Sequence, residues 1–449
     1  MSFNIGLSGL YAANKSLDVT GNNIANVATT GFKSSRTEFA DQYAQSIRGT
    51  SGNVNVGSGV TTAAVSQQFT QGTLTTGTAN SLDLAINGNG FFMLNNNGEK
   101  LYTRAGAFHT DKDGNVVNVS GQKLQGYNVD ANGNVVTGVL GNLRVDSSNL
   151  APNPTGRITV GSNLDSRAVP PKVAVFDPTN VESYNSTYST AIYDTQGNQH
   201  SLDQYFVKGT NNEWTMYSVI DGRNIGPEDA AVPPATAGPV TASSNKLSFD
   251  ASGKLILDTT PTTTSPGLAV NEDGTFQING WVPKINTGTA AAPVWVENGA
   301  LVGGTIQLDM LSTSQTASVS GAITKTQDGF ATGQISSMSV DQTGNLFASY
   351  TNGQSKVIGQ VSLTNFANVQ GLAPAGGTAW RETFASGVPV SGAPQTGTLG
   401  LVQGQALEDS NVDLTAELVN LIKAQSNYQA NAKTISTQAT IMQTTIQMT

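Results

Sequence analysis

The last forty residues carry the pattern that most constrains how this chain can fold. Alternate steps of four and three residues from Leu414 reach ten positions, and nine of them are apolar or aromatic. This spacing is typical of a helix that packs along a partner helix. No glycine or proline interrupts the run, and the segment 410–413 reads as a capping box, with Ser410 and Asp413 at its ends. The large residues of this predicted seam are Leu414, Leu418, Leu421, Tyr428, Ile435, Met442 and Ile446.

The first thirty residues repeat the same spacing, starting from Phe3. The apolar positions that it reaches include Leu7, Leu10, Leu17 and Ile24. Because both ends of the chain carry matching seams, we expect the two helices to pair as a coiled coil. Gly6, Gly9 and Gly21 each cost about 1 kcal/mol relative to alanine in a helix. The first helix therefore depends on packing for its order.

Apolar residues also lie off both seams, at Ile5, Tyr11, Val19, Val419 and Ile422. A simple two-helix pair exposes them, so more than one neighbour is expected. We also expect residues 1–30 and 410–449 to be largely disordered in the isolated protein and to order together with many neighbours. Periodicity alone leaves a second possibility open, in which the terminal coiled coil only dimerises the protein or closes its domain.

Length and composition narrow the class of protein. A chain of 449 residues has room for two to four domains. A net charge of −9 with 12% charged residues argues against nucleic acid or an anionic membrane surface as a partner. No apolar run approaches the roughly 18 residues of a membrane span, and no signal peptide is expected. The absence of cysteine excludes disulfides, thiol redox chemistry and thiolate metal sites.

Proline placement indicates an insertion. Of 16 prolines, 13 lie from Pro152 to Pro293, which gives the middle of the chain a different character from its two flanks. Since the terminal helices also pair, we expect nested domains, through which the chain runs outward and then returns. The expected domains are a helical domain at 1–33 and 410–449, an extended connector at 34–80 and 375–409, an inner β-domain at 81–154 and 306–374, and an inserted outer β-domain at 155–305.

Between the helices the sequence predicts short strands. Leu82–Ile86 alternates large and small or polar side chains, Gly88-Asn89-Gly90 reads as a turn, and Phe91–Leu94 as the returning strand of a hairpin. Similar glycine turns follow, each flanked by β-rich segments, for example at 113–115, 196–198, 273–275 and 343–345. The predicted fold class is multidomain and mainly β, with an α-helix at each end.

The chain shows no pattern that points to catalysis. Its two histidines, His109 and His200, are far apart in sequence. The stretch 111–114 lacks the spacing and the glutamate of a calcium loop, and 88–90 lacks the third glycine of a dinucleotide fingerprint. No nucleophile elbow or phosphate loop is present, and a pair of catalytic carboxylates is neither indicated nor excluded. We therefore predict no enzyme, no cofactor and no metal.

Several separated strings resemble one family. The segments 8–13, 17–26 and 31–33 resemble the N-terminal signature of bacterial flagellar rod and hook proteins, and 410–433 resembles their C-terminal signature. Segments 82–92 and 102–106 are similar to the family's inner β-domain, and 365–372 to its return. The strings occur in the family's order and cover both flanks, about half of the chain. The inserted middle resembles the family only loosely, around 193–198.

The large insert resembles hook members of that family more than the shorter rod members. The resemblance implies a subunit that polymerises into a curved, flexible tube, a universal joint between the basal-body rod and the filament that transmits motor torque. Its terminal helices would line the inner tube. The implied partners are further copies of the chain, the rod, hook-cap and hook–filament junction proteins, and the flagellar type III export apparatus. The implied location is extracellular, in the flagellum, after export without a cleaved signal peptide.

Two alternatives remain at this stage. One is a distal rod or other axial accessory protein of the same secretion route, against which the large insert counts. The other is an unrelated β-rich adhesin or secreted enzyme with a dimerising coiled coil.

Overall fold

The computed structural model describes residues 2–42, 57–130, 133–225, 243–256, 267–289, 294–301 and 304–448. The described part has one α-helix at each end of the chain and short β-strands between them, and the two helices contact each other. This confirms the prediction of a mainly β chain whose terminal helices meet. The supercoiling of these helices stays a prediction.

The chain divides into two compact units, and unit 2 is inserted in the sequence of unit 1. Unit 1 comprises Met1–Ser147, Ile335–Ser349 and Ser355–Thr449, and unit 2 comprises Ser148–Gln334 and Tyr350–Gln354. The finer division into four nested domains is not resolved by these two units and is taken up below as a proposal.

Unit 1 starts with helix α1 (Ser2–Ala25). Its outward strands are short and end at turns, many of which contain glycine. They are β1 (Ser35–Asp41), β2 (Val60–Gln67), β3 (Leu74–Thr76), β4 (Leu84–Asn87), β5 (Phe91–Asn96), β6 (Glu99–Thr103), β7 (Phe108–Thr110), β8 (Val116–Asn118), β9 (Lys123–Val129) and β10 (Val135–Asn142).

Unit 2 supplies the next group of strands. They are β11 (Arg157–Asp165), β12 (Ser186–Tyr193), β13 (Gln199–Lys208), β14 (Glu213–Ile220), β15 (Arg223–Asn224), β16 (Ser244–Phe249), β17 (Leu255–Ile256), β18 (Leu268–Val270), β19 (Phe276–Ile278), β20 (Lys284–Asn286), β21 (Trp295–Glu297), β22 (Ile306–Asp309), β23 (Ser314–Thr316) and β24 (Gly321–Gln327).

The chain then returns through unit 1 and ends in a helix. The returning elements are β25 (Ile335–Val340), β26 (Asn345–Tyr350), β27 (Ser355–Val361), β28 (Leu363–Asn365), β29 (Ala373–Gly376), β30 (Ala379–Arg381), β31 (Val390–Gly392), β32 (Leu401–Gly404), β33 (Ala406–Glu408) and α2 (Leu414–Met448).

Strands from the outward and returning parts pair with each other in unit 1. β3 pairs antiparallel with β33, β4 with β32 and β5 with β28. The largest sheet has the order β25-β26-β27-β9-β5-β6-β30-β29, with further strands attached at its sides. Apolar side chains from both parts form one core, including Leu84, Ile86, Phe92, Leu363 and Val402. Pairing between distant segments therefore joins the two flanks of the sequence into one unit.

The predicted hairpin of Leu82–Ile86 with Phe91–Leu94 is wrong. β4 pairs with β32, whereas β5 pairs with β6, β9 and β28. Gly88 and Gly90 have φ angles of +102° and +124°, so the turn between them uses backbone conformations that favour glycine. This turn carries the chain from one sheet into another. The alternation along β4 misled the prediction because both of its faces are buried.

Several hairpins of the chain close with the same turn sequence, Asp-x-x-Gly-Asn. At the first, the Asp111 Oδ1 atom accepts hydrogen bonds from the backbone N–H groups of Asp113 and Asn115, both at 2.8 Å. The Asn115 side chain donates to Asp111 Oδ2 at 2.9 Å. The same contacts recur in 194–198 and 341–345. These aspartates hold their own turns, which confirms the predicted turns at these positions.

Two six-stranded sheets form most of the described part of unit 2, and β20 pairs with β21 in a further two-stranded sheet. One has the order β18-β19-β22-β11-β23, with β24 on β11, and the other has the order β12-β13-β14-β16-β17, with β15 on β14. Alternate side chains of β13 are buried, as expected for a strand with one face on a core. A single hydrophobic cluster draws on both sheets and includes Ile158, Leu202, Phe206, Trp214, Met216 and Leu308. The two sheets thus share one core, as in a β-sandwich.

Candidate assembly surface

Helix α2 begins at a side-chain cap. The Asp413 Oδ1 atom accepts hydrogen bonds from the backbone N–H groups of Thr415 at 2.8 Å and Ala416 at 3.1 Å. These bonds satisfy two of the amides that a helix N-terminus leaves unpaired. The predicted capping box is therefore wrong, because Asp413 and not Ser410 is the N-cap. Ser410 instead accepts a hydrogen bond from the N–H of Val412 at 3.3 Å, in a segment that is not helical.

The two helices run antiparallel. Near the start of α1, a Cβ atom on Gly6 would lie 3.0 Å from Cγ1 of Ile435. Near its end, the Asn23 Nδ2 atom donates to Glu417 Oε1 at 3.1 Å. The backbones of the two helices approach closely at Gly6, where a Cβ atom would require Ile435 to move.

Small side chains line the face of α1 that meets α2. This face follows steps of three and four residues, and we name it the contact stripe of α1. Its members are Gly6, Gly9, Ala13, Ser16, Thr20 and Asn23. Ala13, Thr20 and Asn23 are only 6%, 5% and 1% exposed. The predicted seam lies one residue further along at each step, and its four large residues are half-buried: Leu7, Leu10, Leu17 and Ile24.

The matching contact stripe of α2 contains Glu417, Leu421, Ala424, Asn431, Ile435 and Gln438. Ala424, at 3% exposure, is the most buried of the described residues of α2. Of the predicted seam, Leu421 and Ile435 belong to this stripe and are half-buried. Tyr428, which is 38% exposed, lies seven residues from both Leu421 and Ile435 and therefore on the same face. Leu414 lies seven residues before Leu421 on the same face but is 44% exposed, and Leu418, also 44% exposed, lies beside the stripe.

The contact stripe of α2 continues past the N-terminus of α1, towards the C-terminus of α2. α2 has 35 residues and α1 has 24. Because Gly6 lies against Ile435, the first residue of α1 is opposite about residue 439. Met442 and Ile446 follow Ile435 by seven and eleven residues, so they stay on the face of the stripe. They are 55% and 70% exposed, and we name residues 440–448 the overhang.

A second apolar face of α2 also points to solvent. Leu418, Val419 and Ile422 are 44%, 47% and 62% exposed, on a side of the helix that α1 does not cover. On α1, Tyr11 is 64% exposed. The pair within one chain therefore leaves apolar surface on more than one face, as the residues off the seam led us to expect.

Asn23 joins α1 to the strand that follows it and to α2. Its Oδ1 atom accepts a hydrogen bond from the N–H of Ser35 at 2.9 Å. Its Nδ2 atom donates to the Ser35 carbonyl at 2.8 Å as well as to Glu417. Since Asn23 is 1% exposed, all of its side-chain polar atoms are satisfied inside the protein.

Asn411 makes the corresponding connection just before α2. Its Oδ1 atom accepts a hydrogen bond from the N–H of Ser34 at 2.7 Å, and its Nδ2 atom donates to the Gln68 carbonyl at 2.7 Å. The segments that leave α1, return from β2 and enter α2 are thus held together by two asparagine side chains. Such bonds are directional, so they fix the position at which each helix starts or ends.

A buried ion cluster lies between these chain segments and the β-strands of unit 1. Glu408 contacts Lys33 Nζ at 2.5 Å and Arg104 Nη1 at 3.1 Å. The side chains of Lys33 and Glu408 are 0% exposed, and that of Arg104 is 6% exposed. Lys33 also donates to the Thr70 carbonyl at 2.7 Å, and the N–H of Gly72 donates to Glu408 at 3.0 Å. Burial lowers the pKa of both Lys33 and Arg104, and the Glu408 carboxylate opposes each shift.

One histidine of unit 2 has acidic neighbours. His200 Nδ1 lies 2.6 Å from Asp221 Oδ2, and His200 Nε2 lies 3.4 Å from Asp194 Oδ2. Burial lowers the pKa of His200, but the hydrogen bonds and charges of Asp221 and Asp194 raise it more, so the net shift is upward. In the described ranges, no group of three or more His, Cys, Asp or Glu is arranged to hold a metal ion. No helix in those ranges is long and apolar enough to cross a bilayer.

We name the two asparagine contacts and the buried ion cluster the helix junction. Sequence reasoning did not identify the residues of this junction as functional. Asn23, Lys33 and Asn411 stand in the strings that carry the family resemblance, but no pattern assigns them contacts. Arg104 and Glu408 are separated by 304 residues in the chain, so no local spacing links them. The contact stripe of α1 was missed because glycine, alanine and serine give no hydrophobic signal.

Family models match four parts of the chain. The Flagella basal body rod protein model matches residues 3–33, and the Flagellar hook protein FlgE/F/G D1 domain matches residues 85–170. The Flagellar basal body protein FlaE D2 domain matches residues 163–330, and the Flagellar basal body rod FlgEFG protein C-terminal model matches residues 403–448. The two terminal models cover the helix pair.

Relatives align over the full length. The Flagellar hook protein FlgE of Salmonella typhimurium is 38% identical over 454 residues, which covers 100% of each chain. The chain belongs to the flagellar hook protein family. The hook protein of Escherichia coli is 37% identical with the same coverage, and that of Treponema pallidum is 32% identical over 99% of this chain and 98% of its own.

Solved hook protein structures resemble the chain more weakly. The crystal structure of Helicobacter pylori flagellar hook protein FlgE2 has a TM-score of 0.47 and 12% identity, over 74% of this chain and 98% of that chain. A 32 kDa fragment of the hook protein from Caulobacter crescentus has a TM-score of 0.22 and 13% identity, over 32% of this chain and 46% of that chain.

As a hook protein, the chain is a structural subunit of a polymer of the bacterial flagellum. This confirms the function predicted from the sequence, and the rod alternative is not favoured, because relatives that match the whole chain are hook proteins. The family is structural and not enzymatic.

Proposed function

We propose that the α1–α2 pair is the element through which hook subunits polymerise. Pairs from many copies pack side by side as coiled coils. In each copy, the helical domain at 1–33 and 410–449 contributes this pair to the inner tube. The connectors at 34–80 and 375–409 join this tube to an inner β-layer at 81–154 and 306–374. The insert at 155–305 forms the outer layer.

The overhang is the observation that carries this proposal. Met442 and Ile446 continue the contact stripe of α2 past the N-terminus of α1, and both are exposed. An apolar seam that outruns its partner helix can be covered by the same seam of a neighbouring copy. Leu418, Val419 and Ile422 offer a second apolar face, which allows each pair to have neighbours on more than one side. A two-chain dimer covers fewer of these faces than a tube does.

The remaining parts of the proposal follow from family membership and from the composition. The tube links the rod to the filament as a flexible, torque-transmitting joint, and it contacts rod, hook-cap and hook–filament junction proteins. Subunits leave the cell through the flagellar export apparatus without a cleaved signal peptide and act outside the cell. In the free subunit both helices are largely disordered, because the faces exposed in one copy gain their packing only from neighbours.

The test is a charge placed on the overhang. We expect Met442→Asp to raise the concentration needed for polymerisation at least about tenfold, because a carboxylate would be buried without a partner between copies. Electron microscopy and sedimentation measure this concentration. The free energy of unfolding of the monomer should not change, because Met442 is exposed in one copy.

Thr444→Asp is the matched control. Thr444 is exposed, lies two residues away and faces a different side of the same helix. The control variant should form tubes at the concentration of the unmodified chain. Normal polymerisation of Met442→Asp would contradict the role assigned to the overhang.

A further inference from the structure

Unit 1 presents an apolar knob away from the helix pair. Phe384 is 105% exposed, and Val388 and Val390 are 81% and 67% exposed. Among the large hydrophobic side chains of the described residues, Phe384 is the most exposed. We name residues 383–390 the knob. Three large apolar side chains within seven residues are an unusual concentration on a soluble surface.

The backbone of the knob is held firmly by hydrogen bonds. Phe384–Ser386 forms one turn of 3₁₀ helix, and Thr383 caps it by accepting hydrogen bonds from the N–H groups of Ala385 and Ser386. Ser386 Oγ accepts from the N–H of Thr383 at 3.0 Å, which completes a capping box. Asn368 Nδ2 donates to the Ala385 carbonyl at 3.0 Å. Phe384 therefore projects from an ordered turn and loses little conformational entropy on binding.

Charge is absent around the knob in the sequence. The 25 residues from 383 to 407 contain no Asp, Glu, Lys, Arg or His. The centres of protein interfaces are depleted in charged residues and enriched in aromatic ones. This run therefore resembles the centre of an interface in composition, and the partner surface should be apolar as well.

Unit 1 also contains a groove whose lining is partly apolar and partly polar. It lies between β2 and the segment 370–374 and has a volume of about 570 Å³. Six of its eleven lining residues are polar or charged, and the apolar five are Ala64, Val65, Phe69, Leu372 and Pro374. Its two charged lining residues, Arg36 and Glu38, form an ion pair with each other at 3.3 Å, which removes the need for a charged ligand. Phe384 of the same chain is fully exposed and does not fill this groove.

We propose that Phe384 of one copy docks into this groove on a second copy. A second copy is the occupant, because the chain is a subunit of a polymer in which the neighbours of a subunit are further copies. The knob and the groove are made of different residues that adjoin each other on one chain, where Thr383 Oγ1 donates to the carbonyl of Gly371. We propose a heterologous contact, which continues from copy to copy without closing. This inference rests on the proposed polymerisation through the helices and adds a contact between β-regions.

The absence of cysteine makes disulfide trapping a clean test. A variant that carries Phe384→Cys and Val65→Cys is assembled and then oxidised mildly. Val65 is 42% exposed at the groove, so its replacement leaves the core intact. We expect a ladder of covalent multimers on denaturing gels, since a disulfide forms only between Cα atoms that lie within about 7 Å. The unassembled monomer and each single variant should give no ladder beyond a dimer.

Val119 provides the matched control. It is 87% exposed and lies between β8 and β9 of the same unit. The Val119→Cys and Val65→Cys pair should give no ladder in polymers. Polymers of the knob variant without a ladder, or an equal ladder from the control pair, would overturn the proposed contact. If the unmodified chain itself formed no polymer, the proposed function would fail separately.

A second measurement covers the case in which the cysteine variant assembles poorly. Phe384→Ser should raise the critical concentration for polymerisation at least about fivefold, the size expected for the loss of an anchor residue. Val119→Ser should leave it unchanged. The unfolding of the monomer should be the same for both, because both side chains are exposed. Equal critical concentrations for the two variants would contradict the proposal.

Discussion

The helix pair and unit 2 bury their apolar residues in opposite ways. In unit 2, Trp214, Met216 and Leu308 are 0% exposed, and two sheets enclose them within one chain. In the helix pair, α1 meets α2 through small and polar residues, and large apolar side chains of α2 such as Ile422 and Ile446 remain exposed. Unit 2 encloses these core residues within a single copy, whereas we propose that neighbouring copies cover the exposed apolar faces of the helix pair. If the proposed function holds, one part of the chain folds by itself and another part assembles.

The two regions also differ in the contacts that fix them, and the largest predicted effect tests this difference. Glu408→Gln removes the charge that pairs with Lys33 and Arg104 at the base of the helix pair. Both cations are buried, so we expect unit 1 to lose about 3–5 kcal/mol of unfolding free energy. Unit 2, whose core is apolar, should keep its stability.

Fluorinated tryptophan separates the two units in this measurement. Of the four tryptophans, Trp380 belongs to unit 1 and the other three belong to unit 2. Fluorine NMR during denaturant unfolding therefore follows each unit by its own signals. Glu38→Gln is the control, because the ion pair of Glu38 with Arg36 is exposed and its loss should have no measurable effect. Equal stability of unit 1 in both variants would show that the ion cluster does not hold the junction.

Two glycines of α1 provide a test of intermediate size. A Cβ atom at position 9 would lie 2.5 Å from Asn431 Oδ1, whereas at position 21 nothing lies within 4 Å. Gly21→Ala should stabilise the helix by about 1 kcal/mol through propensity alone. Gly9→Ala gains the same propensity but crowds α2 at a cost of about 1–3 kcal/mol, so the net effect should be neutral or destabilising.

Amide hydrogen exchange in α1 of the assembled polymer measures this pair of variants, because we expect the helices to order only with neighbours. The unit 2 signals should be unchanged in both. Equal stabilisation by the two alanines would mean that α1 and α2 do not approach closely at the contact stripe in the polymer.

The smallest predicted effect concerns pH and unit 2. The pKa of His200 is raised in the folded protein by Asp221 and Asp194. The stabilisation of unit 2 by protonated His200 is therefore complete at pH values below the ordinary histidine pKa of about 6.5. It is lost as the pH rises through the higher pKa that His200 has in the folded protein. Unfolding of unit 2 should become easier over this range, and His200→Gln should remove the dependence. The resonance of Trp281, whose ring centroid lies 5.0 Å from that of His200, reports the titration. A pH dependence that persists in His200→Gln would assign it to other groups.

The sequence predicted the helices because their periodicity is long and uninterrupted. It placed the seam of α1 on Leu7, Leu10, Leu17 and Ile24, yet the contact with α2 follows the neighbouring small residues. A hydrophobic pattern identifies where apolar side chains lie, but it does not tell which of two adjacent stripes meets the partner within one chain. The exposed residues that it did identify, such as Met442 and Ile446, are those to which we assign contacts between copies.

The remaining differences arise from contacts between distant parts of the chain. The hairpin predicted around 88–90 is replaced by pairing of β4 with β32, which local turn residues cannot reveal. The ion cluster brings Lys33 to Glu408 across 375 residues, and each residue alone resembles an ordinary surface charge. The Asp-x-x-Gly-Asn turns were predictable because the hydrogen bonds that close each turn lie within five residues.

The hydrogen bond between Asn23 and Glu417 has a consequence for the order of events as the chain folds. It spans 394 residues, so nearly the whole polypeptide must be synthesised, or delivered, before it can form. The turns and neighbouring strands of unit 2 close over much shorter loops and have a smaller entropic cost. Each new subunit can therefore fold its middle first, while its two ends meet last.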